Sequence, residues 1–189
     1  MKDVIIIGAG IAGTYVAREL ARYKLDVLLI DRENDLANAT TMANSAIIHA
    51  GYDALPGTLK SKFNIASNPM FDQVCEELDV PFKRIGSMVL AFNEDDEKTL
   101  DKLFRQGTDA GIPEMSIISG DEVRELEPNI SREVTGALLA KTAGIISPYE
   151  LAIALGENAI DNGVTCKLNT EVQAIVKKGS CYSVITNKG

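Results

Sequence analysis

The sequence predicts an α/β fold built on a parallel sheet, and three features carry that prediction. Val4 to Ile7 is a continuous β-branched run, the pattern of a strand buried on both faces of a parallel sheet. Gly8, Gly10 and Gly13 follow it at once, and a helical pattern opens among them. A second apolar run, Val27 to Ile30, then ends on an acid, Asp31.

The order strand, G-x-G-x-x-G, helix, strand, acid is that of a Rossmann-like dinucleotide-binding unit. Gly8 permits the tight turn, Gly10 lets backbone approach a pyrophosphate, and Gly13 lets the helix lie close to the strand. A helix start offers unpaired N–H groups and about half a positive charge to such an anion. Residues Gly8, Ala9, Gly10, Ile11, Ala12 and Gly13 are therefore candidate cofactor ligands, and Asp31 a candidate acceptor for ribose hydroxyls. A purely structural turn is the alternative. Arg32 stands where a ribose 2′-phosphate would reach, but Asp31 beside it repels that phosphate, and a solvated arginine is the plainer reading. The helix is expected from about Ala12 to Tyr23, with Ala12, Val16, Leu20 and Tyr23 on one stripe.

Composition narrows the class. The chain has 189 residues, 46% apolar and 24% charged, as in ordinary globular proteins. A formal charge of −8 argues against nucleic acid or an anionic membrane as partner. No apolar run is long enough for a membrane span. Cys75, Cys166 and Cys181 lack metal-ligand spacing and are read as reduced thiols, so a cytoplasmic location and no metal are expected.

After Asp31 a nicotinamide domain would continue with another helix and strand. Instead comes "ENDLANATTMANSAIIHAGYDALPG", with neither period. The motifs "GAGIAG", "LLIDRE", "TTMANSAIIHAG" with "PGTLKSK", "ISGDEVRELEPNI" and "AGIISPYELAIAL…NTEVQAI" span nearly the whole chain. In that order they resemble the FAD-dependent amino- and hydroxy-acid oxidases of the D-amino-acid oxidase-like family. The branch with glycerol-3-phosphate dehydrogenase and L-2-hydroxyglutarate oxidase is the most similar.

The resemblance implies FAD as cofactor, its pyrophosphate at Gly8 to Gly13 and its adenosine ribose at Asp31. It also implies that Thr40, Thr41, Asn44 and Ser45 run along the pyrophosphate, ribityl chain and flavin. Val172 would meet adenine through its backbone. Taken alone, Asn44 and Ser45 are turn formers that satisfy their own backbone.

His49 is the single histidine and the one side chain that titrates near neutral pH unaided. Oxidation of a hydroxyl carbon sends a hydride to flavin and a proton to a base, and such a base contributes about 10²–10⁴ in rate. His49 is thus the catalytic candidate, for proton transfer or for flavin positioning.

Further along, Leu59, Phe63, Ala66, Met70, Val74 and Leu78 recur at helical spacing, with a kink or two helices expected at Pro69. "SMVLAF" reads as a strand, and Asn93 and Ser119 as N-caps of the next two helices. Ser147, Pro148 and Glu150 suggest a capping box with proline at the first helical position. A parallel strand at Val164 to Lys167 and a hairpin of Thr170 to Val176 with Cys181 to Thr186 complete the reading.

The domains expected are 1–80 (FAD-binding, first part), 81–142 (substrate-side insertion, α+β) and 143–189 (FAD-binding, second part). A third strand of the hairpin crossover would follow in the family, so the sequence is expected to be the N-terminal part of a longer enzyme, truncated at its C-terminus. The function expected is hydride transfer to FAD from the hydroxyl carbon of a small anionic substrate. Glycerol 3-phosphate is favoured and L-2-hydroxyglutarate is the alternative. The electron acceptor is left open. A non-catalytic nucleotide-binding module and an NAD-dependent domain are the competing readings.

Overall fold

The computed structural model describes residues 1–189 and divides them into two compact units. The first comprises residues 1–46, 76–80 and 147–189; the second comprises 47–75 and 81–146.

In the first unit, β1 (Val4–Ile7), β2 (Val27–Ile30) and β9 (Thr165–Lys167) form a parallel sheet in the order β1-β2-β9. Val4 lies opposite Val27 and Ile7 opposite Ile30; Leu28 lies opposite Thr165. Every residue of β2 is buried, as a central parallel strand requires. Helices α1 (Ile11–Leu20) and α6 (Pro148–Asp161) belong to the same unit. Leu29, Ala17 and Ala159, all fully buried, form its core with Val27, Ala9, Leu36 and Val164. The hairpin β10 (Val172–Lys178) and β11 (Cys181–Thr186) turns at Gly179.

The stripe expected on α1 is not the one that packs. Thr14, Ala17 and Arg18 are buried, while Val16 and Tyr23 stay 48% and 66% exposed. Small side chains take the packed side, with Ala17 in the core and Thr14 against α6 at Gly156. Gly156 of α6 serves the same end, since a Cβ there would stand 2.6 Å from Leu36 and 3.3 Å from Thr14. Arg18 is buried with its charge paired to Glu77 and its Nε donating to Asn158 at 3.3 Å.

The capping box expected at Ser147 does not form. Its hydroxyl caps no amide and lies buried without a partner. Pro148 follows at the first helical position, removing one amide that would need a cap and presetting the backbone for the helix. The helix starts without the box.

The second unit contains β3 (Ile47–Ile48), α2 (Leu59–Ser67), most of α3 (Met70–Leu78), β4 (Phe82–Lys83), β5 (Ser87–Ala91) and α4 (Glu94–Asp109). It continues with β6 (Met115–Ser119), α5 (Gly120–Leu126), β7 (Gly136–Ala140) and β8 (Gly144–Ile146). One antiparallel sheet runs β5-β7-β6 and a second, of very short strands, runs β3-β8-β4. Asn93 caps α4 by accepting from the amides of Asp95 and Asp96 at 3.0 Å. Ser119 and Glu122 close a capping box on α5. Pro69 separates α2 from α3.

One feature here departs from the sequence pattern. Leu59, Phe63 and Met70 are 70%, 61% and 48% exposed, so the stripe running through α2 is not core. Residues 47–75 group with 81–146 in this unit. Strand β3 pairs with β8, and Gly51, at φ 108°, lies where a Cβ would stand 2.8 Å from Ile65.

Candidate functional site

The end of β1, the start of α1 and the end of β2 form an amide-lined crook. Gly8 turns the chain at φ 105°, and its amide donates to the carbonyl of Ile30 at 2.8 Å. The amide of Ala9 donates to Asp31 Oδ2 at 2.5 Å, and that of Glu33 to Oδ1 at 2.8 Å. Asp31 therefore faces the crook and braces it. Its own backbone is fixed on both sides, donating to Lys167 O at 3.0 Å and accepting from Thr170 N at 2.8 Å.

The start of α1 has no side-chain cap. The amide of Ile11 donates to Thr41 Oγ1 at 3.0 Å, whereas those of Gly10, Ala12 and Gly13 have no partner within the protein. Ala12 is exposed, and Gly10 and Gly13 are half-buried, so these donors are reachable. A Cβ on Gly13 would stand 1.8 Å from the carbonyl oxygen of Gly8; one on Gly10 would stand 2.9 Å from Thr41 Oγ1. Three unpaired amides at the positive end of a helix, beside backbone that excludes side chains, suit an oxyanion of pyrophosphate type. The donor set fits the diphosphate of a dinucleotide.

Other sequence candidates fall into place unevenly. Thr41 is buried and joins the crook through Ile11. Val172 opens β10, two residues after Thr170, whose amide binds the Asp31 carbonyl. Thr40 lies exposed in a 3-10 turn (Thr40–Met42), and Ser45 is exposed in the same unit. Asn44 donates to Thr41 O at 2.7 Å and accepts from Ala46 N at 2.8 Å, the turn-forming role its residue type suggests. Arg32 points to Glu33 and to solvent, its side chain 69% exposed.

Sequence reasoning missed Ala37. Its amide donates to the Ala9 carbonyl at 2.9 Å from a residue at φ 59°, and no local signal marks that contact. Cys166 is also at this end of the unit. Burial, and then the charge of Asp31, push its thiol above the ordinary range, so it stays protonated at neutral pH.

His49 belongs to the second unit, just past β3. Its side chain is exposed, and its carbonyl accepts from Asn68 Nδ2 at 2.9 Å. Ile47, Phe63, Met70 and His49 line an open cavity of about 510 Å³ in that unit.

Comparison with known proteins decides the family. A model of the FAD dependent oxidoreductases (DAO) matches residues 3–189. The chain belongs to this family. Over 188 residues it is 59% identical to a glycerol 3-phosphate dehydrogenase of Caloramator mitchellensis, covering 100% of this chain and 39% of that protein. A glycerol 3-phosphate oxidase of Mycoplasma pneumoniae is 33% identical, covering 98% of this chain and 50% of the other.

The L-2-hydroxyglutarate dehydrogenase of Arabidopsis thaliana is 31% identical over 84% of this chain and 32% of that protein. Among solved structures, the dithionite-reduced L-α-glycerophosphate oxidase from Mycoplasma pneumoniae, with FAD bound, superposes at a TM-score of 0.94 with 32% identity. That match covers 100% of this chain and 50% of the other. The chain thus spans half or less of these relatives. Membership of the DAO family bears out the α/β fold class and FAD as the family's cofactor. No helix is long and apolar enough to cross a membrane.

Proposed function

We propose that this chain supplies the FAD-binding portion of a flavoenzyme that oxidises the hydroxyl carbon of a small anionic substrate. Glycerol 3-phosphate is the favoured substrate. The observation that carries the reading is the crook itself, with the unpaired amides of Gly10, Ala12 and Gly13 beside an inward-facing Asp31. The names of the relatives favour a glycerol phosphate over a hydroxyglutarate, since the 59% and 33% matches both carry it.

FAD, when bound, supplies the hydride acceptor. The chain's own residues do the rest. Gly10, Ala12 and Gly13 donate to the pyrophosphate. Asp31 accepts from ribose hydroxyls with the lone pairs its amide partners leave free. Thr40, Thr41, Asn44 and Ser45 follow the cofactor, and Val172 meets adenine through its backbone. His49 holds the hydroxyl proton at its imidazole or orients the flavin ring. The division into an FAD-binding domain (1–80 and 143–189) and a substrate-side insertion (81–142) is part of this proposal, as is a cytoplasmic location, which the three free thiols support.

Titration of the chain with FAD, NAD and ADP, followed by quenching of flavin fluorescence and by calorimetry, tests the reading. FAD is expected to bind at least tenfold more tightly than NAD. Tight NAD binding without FAD affinity would overturn it. In the catalytically active protein, His49→Asn is expected to lower kcat by about 10²-fold or more if the imidazole takes the proton. An unchanged rate across pH would leave His49 no acid–base role.

A further inference from the structure

The second unit holds a polar network that nothing above uses. Asn68 lies between α2 and α3 and is only 8% exposed. Its Nδ2 donates twice, to His49 O at 2.9 Å and to Thr142 O at 3.1 Å. Its Oδ1 accepts from Arg84 Nη1 at 3.2 Å, and its backbone carbonyl accepts from Arg84 Nη2 at 2.7 Å. Arg84 is itself held in one pose. It forks Asp72 with Nε at 3.3 Å and Nη2 at 2.6 Å, donates to Thr142 O at 2.5 Å, and lies 5.5 Å from the Phe82 ring centroid.

This arrangement has a direction. Arginine only donates, so Arg84 fixes which end of the Asn68 amide is oxygen, and the amide nitrogen is left facing the two carbonyls. One of those carbonyls belongs to His49. Strand β3 ends at Ile48, so the peptide after His49 lies beyond the sheet's ladder. The Asn68 bond holds the carbonyl of that peptide. A buried donor in a low-dielectric setting makes that bond strong and its loss costly.

We propose that Asn68, locked by Arg84, is the positioning residue of His49. This rests on the reading that places His49 beside the flavin. Asn68 acts by holding the imidazole's backbone through its bond to the His49 carbonyl. Asn68→Asp is the informative change. It keeps the size of the side chain and the bond from Arg84, but it sets an oxygen against two carbonyl oxygens in place of a donor.

The test uses the chain itself. His49 is the single histidine, so [1-13C]histidine gives one carbonyl resonance and ring labelling gives one imidazole signal. In the parent chain, added FAD is expected to shift the imidazole signal. In Asn68→Asp the carbonyl resonance is expected to move towards its unstructured position, and the FAD-induced imidazole shift is expected to be lost.

A carbonyl that moves while the FAD-induced imidazole shift persists would make the bond merely structural and overturn the proposal. An unmoved carbonyl would overturn it as well. If FAD leaves the imidazole of the parent chain unshifted, the placement of His49 fails first, and the inference falls with it. Arg84→Lys guards against loss of folding. It keeps the charge beside Asp72 but not the fork, so a smaller loss in the same direction is expected, with amide dispersion intact. No loss at all in that variant would remove the lock.

Discussion

Gly13→Ala is expected to destabilise the first unit by about 3 kcal/mol, the upper end of overpacking costs, and to abolish FAD retention. The added Cβ would stand 1.8 Å from the Gly8 carbonyl oxygen, 3.0 Å from its carbonyl carbon and 3.4 Å from Ile6 Cγ2. Backbone cannot rotate away as a side chain can. Gly8 is tied to Ile30 through its amide, so its retreat would break the junction between turn and strand. Helix α1 cannot withdraw cheaply either, because Thr14 and Ala17 on its packed face are both 0% exposed.

Alanine gains about 1 kcal/mol over glycine in a helix, which does not offset the clash. Gly10→Ala is the control. There the obstacle is a hydroxyl oxygen, Thr41 Oγ1, which can swing aside by giving up its bond to Ile11, and the expected cost is about 1 kcal/mol. Urea unfolding followed by circular dichroism separates the two. A Gly13 variant as stable as the Gly10 variant would mean that the turn relaxes, and that the third glycine is not what brings helix and strand together.

How far this site was legible follows from the range of each interaction. The strands 4–7 and 27–30, the caps at Asn93 and Ser119, and the break at Pro69 are set by neighbours in sequence, and the sequence displays them. The face of α1 is not such a property. Val16 and Tyr23 look like core by hydropathy, yet Thr14 and Ala17 take the packed side, where small side chains permit close approach. The exposed Leu59, Phe63 and Met70 mislead for a related reason, since periodicity reports that a helix has an apolar side and not what covers it.

Strands β3, β4 and β8 are two or three residues long, below the length at which alternation can be read. Asn68 was invisible altogether. Its partners lie at positions 49, 84 and 142, and a lone asparagine before a proline carries only a turn signal. Asp31 was half legible. Its place after β2, closing the strand–glycine turn–helix–strand order, marks it as a cofactor contact, but the bond it accepts from Ala9 appears only when β1 and β2 are set side by side.

That bond makes Asp31→Asn the second variant with a large expected effect. In the parent, both carboxylate oxygens accept amides, from Ala9 at 2.5 Å and from Glu33 at 2.8 Å. Asparagine retains one acceptor and turns an NH2 towards the other amide. Ala9 is 0% exposed, so water cannot easily replace the lost partner. A buried donor left unsatisfied costs about 1–3 kcal/mol. The same change distorts the crook and removes an acceptor from the ribose side, so FAD affinity is expected to fall at least tenfold, or about 1.4 kcal/mol.

Cys166 supplies a readout that does not depend on FAD. The negative charge of Asp31 opposes thiolate formation there, in addition to burial. Removing the charge lowers the thiol's pKa towards its ordinary value, and burial keeps it from returning fully. Alkylation of Cys166 by iodoacetamide at fixed mild alkaline pH, resolved from Cys75 and Cys181 by peptide mass, is therefore expected to accelerate in the variant. A variant with weakened FAD binding and unchanged stability would show an Asp31 that meets only the cofactor and does not brace the crook, and unchanged Cys166 reactivity would show that its charge is not felt at the thiol. Unchanged FAD binding with a destabilised fold would assign it the bracing role alone.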